Sequence, residues 1–264
     1  MKTLSKHVKY RAEKESIFIC NCKELIDLKV DNKYLPFFDR LNKGIEEKDL
    51  DNQEKQLLKE LSKLKLLSEL KFKKLEYKKY EEVWNFLEKY LFLESNMKDR
   101  PRSYDFLLDK LKENQDFFIG LFMDNELIGV IQGFPREDYF LMSEIAVSKK
   151  FRSRGFGALL VNEFEKRAKQ KKFKKIKAGA QNNAVNFYKK LGYIPSILIQ
   201  INKKDKIKDF EKLIKKYKIM SLKEIDDNII IEIGYQKLDI SFLDELKKEF
   251  NAFSTQYIFT KYLK

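Results

Sequence analysis

Hydrophobic and polar positions change period several times along the chain, and those changes divide it into elements. Short alternating runs come first: Val8-Lys9-Tyr10-Arg11, Ser16-Ile17-Phe18-Ile19-Cys20 and Asp27-Leu28-Lys29-Val30. Period two predicts strands there. Helical spacing follows at Tyr34, Leu35, Phe38 and Leu41, then at Leu57, Leu58, Leu61 and Leu64, with Asp51 or Asn52 placed to cap the second run. Beyond residue 70 strands and helices alternate. A strand is expected over 72–77, helices over 79–92 and 103–114, and strands over 116–123, 127–134 and 139–147. Asp124-Asn125 supplies turn chemistry between the first two of those three strands, and Pro135-Arg136-Glu137-Asp138 joins the second to the third. A helix over 155–171, a strand over 173–180, a helix over 183–191 and a strand over 193–202 follow. The rest reads as helix 205–217, strands 218–223 and 228–234, helix 240–251 and strand 255–263.

This order predicts an α/β (α+β) chain of three closely packed modules. Residues 1–72 form a small winged-helix-like α+β unit, 73–195 a mixed sheet flanked by helices, and 196–264 a third module. Counted from the strand at 196–202, the third module runs β-α-β-β-α-β, the ferredoxin-like order. The alternative is that its last strand returns to the sheet of the middle module. A length of 264 residues suits two or three domains. An apolar fraction of 43% with 14% aromatics is enough to build a core. No apolar run approaches the roughly 18 residues of a membrane span, and the polar start Met1-Lys2-Thr3-Leu4-Ser5 lacks the apolar core of a signal peptide. Two cysteines make no disulfide framework, so a cytoplasmic chain is expected.

Charge changes the picture because it is uneven. The net +14 divides into +3 for residues 1–72, +8 for 73–195 and +3 for 196–264, and 149–177 alone holds 12 basic against 2 acidic residues. Such a patch attracts polyanions, a phosphorylated cofactor among them, although a solvated lysine-rich helix end explains its 166–177 half equally well. Residues 1–72 lack a basic recognition helix, which argues against nucleic acid as partner.

The chemistry concentrates in Glu144-Ile145-Ala146-Val147-Ser148-Lys149-Lys150-Phe151-Arg152-Ser153-Arg154-Gly155-Phe156-Gly157-Ala158-Leu159-Leu160. A strand ends, a basic loop carries Arg-x-x-Gly-x-Gly, and an amphipathic helix begins. N–H groups at a helix start, aided by its dipole, hold phosphate, and Gly155 and Gly157 let the backbone come close. A Rossmann fingerprint would need a third glycine and a ribose-binding acid, and an ATP-type loop would need Gly-Lys-Ser/Thr. Neither is here.

The run EIAVSKKFRSRGFGALL, followed at matching distance by AGAQNNAVNFYKKLGY, resembles the paired motifs of the GNAT acyl-CoA N-acyltransferase superfamily over residues 70–202. The resemblance implies a GNAT-like mixed sheet and transfer of an acyl group, acetyl first of all, from acetyl-CoA to a primary amine. It implies that the pantetheine arm lies on the backbone of Ile145, Ala146 and Val147, and the pyrophosphate on Arg152, Ser153, Arg154, Gly155, Phe156, Gly157 and Ala158. A backbone N–H near Val147 would polarise the thioester carbonyl. Tyr188 matches the family's proton donor to the departing thiolate, with packing beside Phe187 as the competing role. Gln181 stands where the family usually has asparagine. Glu144 is the candidate general base, or else an exposed residue or the partner of a lysine. The amine attacks directly, so neither a protein nucleophile nor a metal is required.

Other features carry less. The IFICNC…LLKELSKLKLL segment resembles small PqqD-like, leader-peptide-binding domains. Cys20 and Cys22, with His7, fall short of four zinc ligands. Trp84, with Tyr80, Phe86, Tyr90 and Phe92, suits a core or an acceptor pocket. The acceptor could be a small molecule, a peptide amine or a protein lysine. The competing class is an acyl-CoA-binding regulatory protein that recruits peptide or nucleic acid through residues 1–72.

Overall fold

The computed structural model describes residues 1–93, 102–203, 213 and 215–264. They form two compact units, Met1–Gln132 with Glu144–Phe164, and Gly133–Ser143 with Glu165–Lys264.

In the first unit the alternating runs form the antiparallel meander β2 (Val8–Ala12), β3 (Ser16–Asn21) and β4 (Ile26–Asp31). Helix α1 (Leu35–Lys43) ends at Gly44, whose φ of 98° suits a residue without Cβ. Helix α2 (Asn52–Lys63) starts from a capping box between Asp51 and Glu54. Their apolar faces share one core with the meander, including Ile17, Ile19, Phe37, Phe38, Leu41, Leu58 and Leu61. Leu57 and Leu64, on the same period, are half-buried and exposed.

The main strands of this unit are neighbours in the order β1 (Lys2–Leu4), β5 (Leu67–Lys74), β6 (Phe118–Met123), β7 (Glu126–Pro135) and β8 (Phe140–Val147). The strand expected over 72–77 lies earlier, and β1, pairing Lys2 with Glu69 and Leu4 with Leu67, was not expected. Three residues are too short to display a period. Asp124 and Asn125 have φ of 48° and 72°, the left-handed pair of a tight hairpin. Helix α3 (Tyr80–Leu87) runs into a wider turn over Glu88–Phe92, and α4 (Tyr104–Glu113) is capped by the Ser103 side chain. Helix α5 (Phe156–Gln170) begins here and ends in the second unit.

In the second unit the first residues of β8 pair in parallel with β9 (Lys175–Ala180), from Phe140↔Ile176 to Met142↔Ala178. Helix α6 (Val185–Lys190) follows. The neighbours then run β9, β13 (Ser254–Tyr262), β10 (Ile194–Asn202), β12 (Asn228–Gly234) and β11 (Lys218–Ile225), with α7 spanning Ile240–Glu249. The order β13-β10-β12-β11, antiparallel throughout, is the ferredoxin-like one. Yet β13 also pairs with β9, Tyr257 opposite Ala180. The two alternatives for the last strand therefore hold together. The helix expected over 205–217 lies outside the described residues apart from 213 and 215–217. Among the described residues no helix is long and apolar enough to cross a membrane.

Candidate active site

The Arg-x-x-Gly-x-Gly loop is anchored at both ends by aromatic residues. Phe151 and Phe156 are each 1% exposed and their rings lie 6.3 Å apart. Ser148 N–H donates to the Ile128 carbonyl at 2.9 Å, tying the end of β8 to β7. Between the anchors the backbone turns through positive φ twice, 62° at Ser153 and 84° at Gly155. Leu159 N–H donates to Gly155 O at 3.1 Å, so the ladder of α5 starts there. The N–H groups of Phe156, Gly157 and Ala158 thus have no acceptor within the helix. With the helix dipole, that geometry fits a phosphate.

Both loop arginines bond other parts of the chain, Arg152 while exposed and Arg154 while half-buried. Arg152 Nε donates to Val147 O and its Nη2 to Tyr90 O, each at 2.9 Å. Arg154 Nε donates to Asn42 Oδ1 at 3.0 Å, and its Nη2 to Thr3 Oγ1 at 3.2 Å and Leu4 O at 2.8 Å. Burial holds the Arg154 guanidinium below its ordinary pKa. Arg154 is thus engaged inside the protein, whereas Arg152 remains exposed. Lys149 and Lys150 are exposed beside the loop, Lys150 paired with Glu126.

Ile145, Ala146 and Val147 form the end of β8, in the half of that strand belonging to the first unit. Parity along the strand buries Phe140, Met142, Glu144 and Ala146. Glu144 is 3% exposed, so the exposed-residue reading does not hold. Its Oε1 accepts from Arg102 Nη1 and its Oε2 from Gln132 Nε2, both at 3.0 Å. Tyr80 donates in turn to Gln132 Oε1 at 3.1 Å, and burial raises the Tyr80 phenol far above its ordinary value. The cationic partner is an arginine, not the lysine that one of the readings of Glu144 named. Arg102, Gln132 and Tyr80 were missed as a set. The usable signal was parity: a carboxylate in phase with Phe140 and Met142 must be buried, and a buried carboxylate needs a cation.

In the second unit Tyr188, on α6, is 4% exposed. Its ring stacks on Phe259 at 5.3 Å and meets Phe187 and Tyr193 edge-on at 5.2 and 5.7 Å. Its hydroxyl lies 3.9 Å from Met142 Sδ, a weak acceptor. Tyr193 differs. Its hydroxyl donates to Glu165 Oε1 at 2.9 Å, Lys261 holds the same carboxylate, and burial followed by the Glu165 charge pushes the phenol far up. Gln181 closes β9, its carbonyl accepting from Ala184 N–H at 2.9 Å at the entry to α6.

Among the expected aromatics, Tyr80, Trp84 and Phe92 are core residues, with Trp84 5.6 Å from Phe92 and 5.5 Å from Tyr104. Cys20 and Cys22 are free thiols with sulfurs 3.7 Å apart. Among the described residues no group of three or more His, Cys, Asp or Glu side chains gathers as metal ligands do.

Comparison with known proteins shows what this chain is similar to. The model of the acetyltransferase (GNAT) family matches residues 74–193. That stretch is similar to the acetyltransferase (GNAT) family. No curated protein matches the chain. Solved structures similar to it include Ard1 from Thermoplasma volcanium (16% identity, 63% of this chain and 98% of that one, TM-score 0.41). The PaiA N-acetyltransferase of Thermoplasma acidophilum, in complex with coenzyme A, gives 17%, 63%, 99% and 0.42. Diaminobutyrate acetyltransferase EctA of Paenibacillus lautus, with L-2,4-diaminobutyric acid and coenzyme A, gives 12%, 66%, 99% and 0.41.

Proposed function

We propose that the chain moves an acetyl group from acetyl-CoA to a primary amine by direct attack on the thioester. The observation that carries this reading is the loop over 152–158. Two left-handed residues and a helix start meet at the end of β8, inside the segment the family model matches. The pyrophosphate lies on the N–H groups of Phe156, Gly157 and Ala158 and of the loop before them. The pantetheine arm follows the backbone of Ile145 to Val147, and an N–H near Val147 polarises the carbonyl. The amine nitrogen forms a bond to the carbonyl carbon, the carbon–sulfur bond breaks, and the departing thiolate takes its proton from Tyr188.

Tyr193 suits that role poorly, because a phenol held by a carboxylate gives up its proton reluctantly. Glu144 is 3% exposed, and each of its oxygens already accepts a bond, from Arg102 and from Gln132. We therefore assign it the task of holding those two groups, with the amine proton leaving to water. The acceptor is a small amine, a peptide amine or a protein lysine.

Calorimetric titration with acetyl-CoA, then a panel of amines with labelled acetyl-CoA, tests the reading. Saturable binding and labelled product are expected. A folded protein that neither binds acetyl-CoA nor labels any amine rejects it.

A further inference from the structure

The cofactor loop is held from the N-terminal segment at three places, each within the first unit. The Arg154 guanidinium reaches Asn42 Oδ1, Thr3 Oγ1 and Leu4 O. The Lys43 stem lies beside Gly155, so that a Cβ there would sit 3.2 Å from Lys43 Cγ. At the end of α1 a Cβ on Gly44 would lie 3.4 Å from Leu159 Cδ1, in the first turn of α5. Thr3 itself is fully buried and donates to Asn42 O at 3.2 Å, so the acceptors of the guanidinium are fixed to each other. A loop with two left-handed residues, one of them a serine, stays in that conformation only when its surroundings hold it.

We infer that Arg154 is a positioning residue, and that Thr3 and Asn42 set acetyl-CoA affinity by clamping the loop through it. The inference rests on the acetyl-CoA reading above. The clamp orders the N–H groups of 156–158 before the pyrophosphate arrives, so binding need not supply that ordering. An arginine that reached the phosphate itself would need to leave three oxygens inside the protein. Thr3 and Asn42 thus contribute to cofactor affinity through Arg154.

The test uses the full chain and compares wild type with the double variant Thr3→Val, Asn42→Ala and with Asn42→Asp. The double variant should raise the Kd and KM for acetyl-CoA about tenfold, within the usual range of coupling between sites, with kcat within about twofold. Asn42→Asp keeps an acceptor oxygen for Arg154 and should bind as wild type does. Affinity in the double variant that is unchanged, or tighter with a steeper salt dependence, overturns the clamp, the second outcome showing Arg154 released onto phosphate. If the double variant does not fold, hydrogen exchange of the 153–158 amides in Asn42→Ala decides. Faster exchange supports the clamp and unchanged exchange overturns it. Wild type that fails to bind acetyl-CoA rejects the cofactor reading instead, and the exchange measurement still reports on the clamp.

Discussion

Glu144 and Tyr188 are buried to the same degree, 3% and 4% exposed, but their surroundings are opposite in kind. Glu144 sits in a polar chain, Tyr80 to Gln132 to Glu144 with Arg102 closing it, and both of its oxygens are bonded. Tyr188 sits among aromatic rings with its hydroxyl toward a sulfur. A buried charge whose partners are fixed reports first on stability. A buried phenol among rings and a thioether loses little folding energy when its oxygen is removed, so its removal should report on turnover before stability.

The sharpest way to break this contrast is Glu144→Leu. It leaves Gln132 and Arg102 facing an apolar side chain, which should cost about 3 kcal/mol in urea unfolding, the low end for a broken buried pair because Arg102 is partly exposed. A loss below about 1 kcal/mol would mean that the pair is dispensable. Tyr188→Phe should do the reverse. We expect kcat to fall roughly 100-fold, as for loss of a general acid, while stability moves by less than about 1 kcal/mol. Full turnover, measured where chemistry limits the rate, would leave Tyr188 as a packing residue.

A smaller effect sharpens the role of the loop. Gly155→Val puts a branched side chain at φ 84° beside Lys43. Left-handed backbone costs about 1–2 kcal/mol in an L-residue, and the shifted loop should weaken acetyl-CoA about tenfold or more, read by calorimetry on the folded variant. Undiminished affinity would move the phosphate site elsewhere.

Much of this was legible in the sequence, because strand and helix periods are local properties. The elements from β6 to β13, where described, fall within a few residues of their expected places; Asp51, one of the two cap candidates, caps α2, and the Asp124-Asn125 turn follows from residue chemistry. Long-range pairing was harder to read. Nothing in Lys2-Thr3-Leu4 announces a strand on β5, and nothing near Arg154 names Asn42 as its acceptor, 112 positions away. Arg102 and Glu144 are 42 residues apart, and only the parity of β8 hinted that a cation had to come from somewhere. The motif drew attention to the loop over 152–158, but its own residues could not show that Arg152 bonds the Val147 and Tyr90 carbonyls or that Arg154 reaches Asn42, Thr3 and Leu4.

The smallest effect separates Tyr193 from Tyr188 by pH. Burial and the Glu165 carboxylate hold the Tyr193 phenol above its ordinary value of 10.0. An unfolded chain releases that proton once pH passes about 10, while the folded chain retains it. The contribution of Tyr193 to stability is therefore complete below pH 10 and declines as pH rises further. At pH 7, Tyr193→Phe should cost about 1.5 kcal/mol, as for a hydrogen bond to a charged group. Above pH 10 the gap between wild type and variant should narrow, and taking the difference cancels the other tyrosines. Urea unfolding of both proteins from pH 8 to pH 11 measures it. A gap that stays constant over that range would mean that the Glu165 contact does not hold the proton, and the argument for preferring Tyr188 over Tyr193 as the acid would lose its footing.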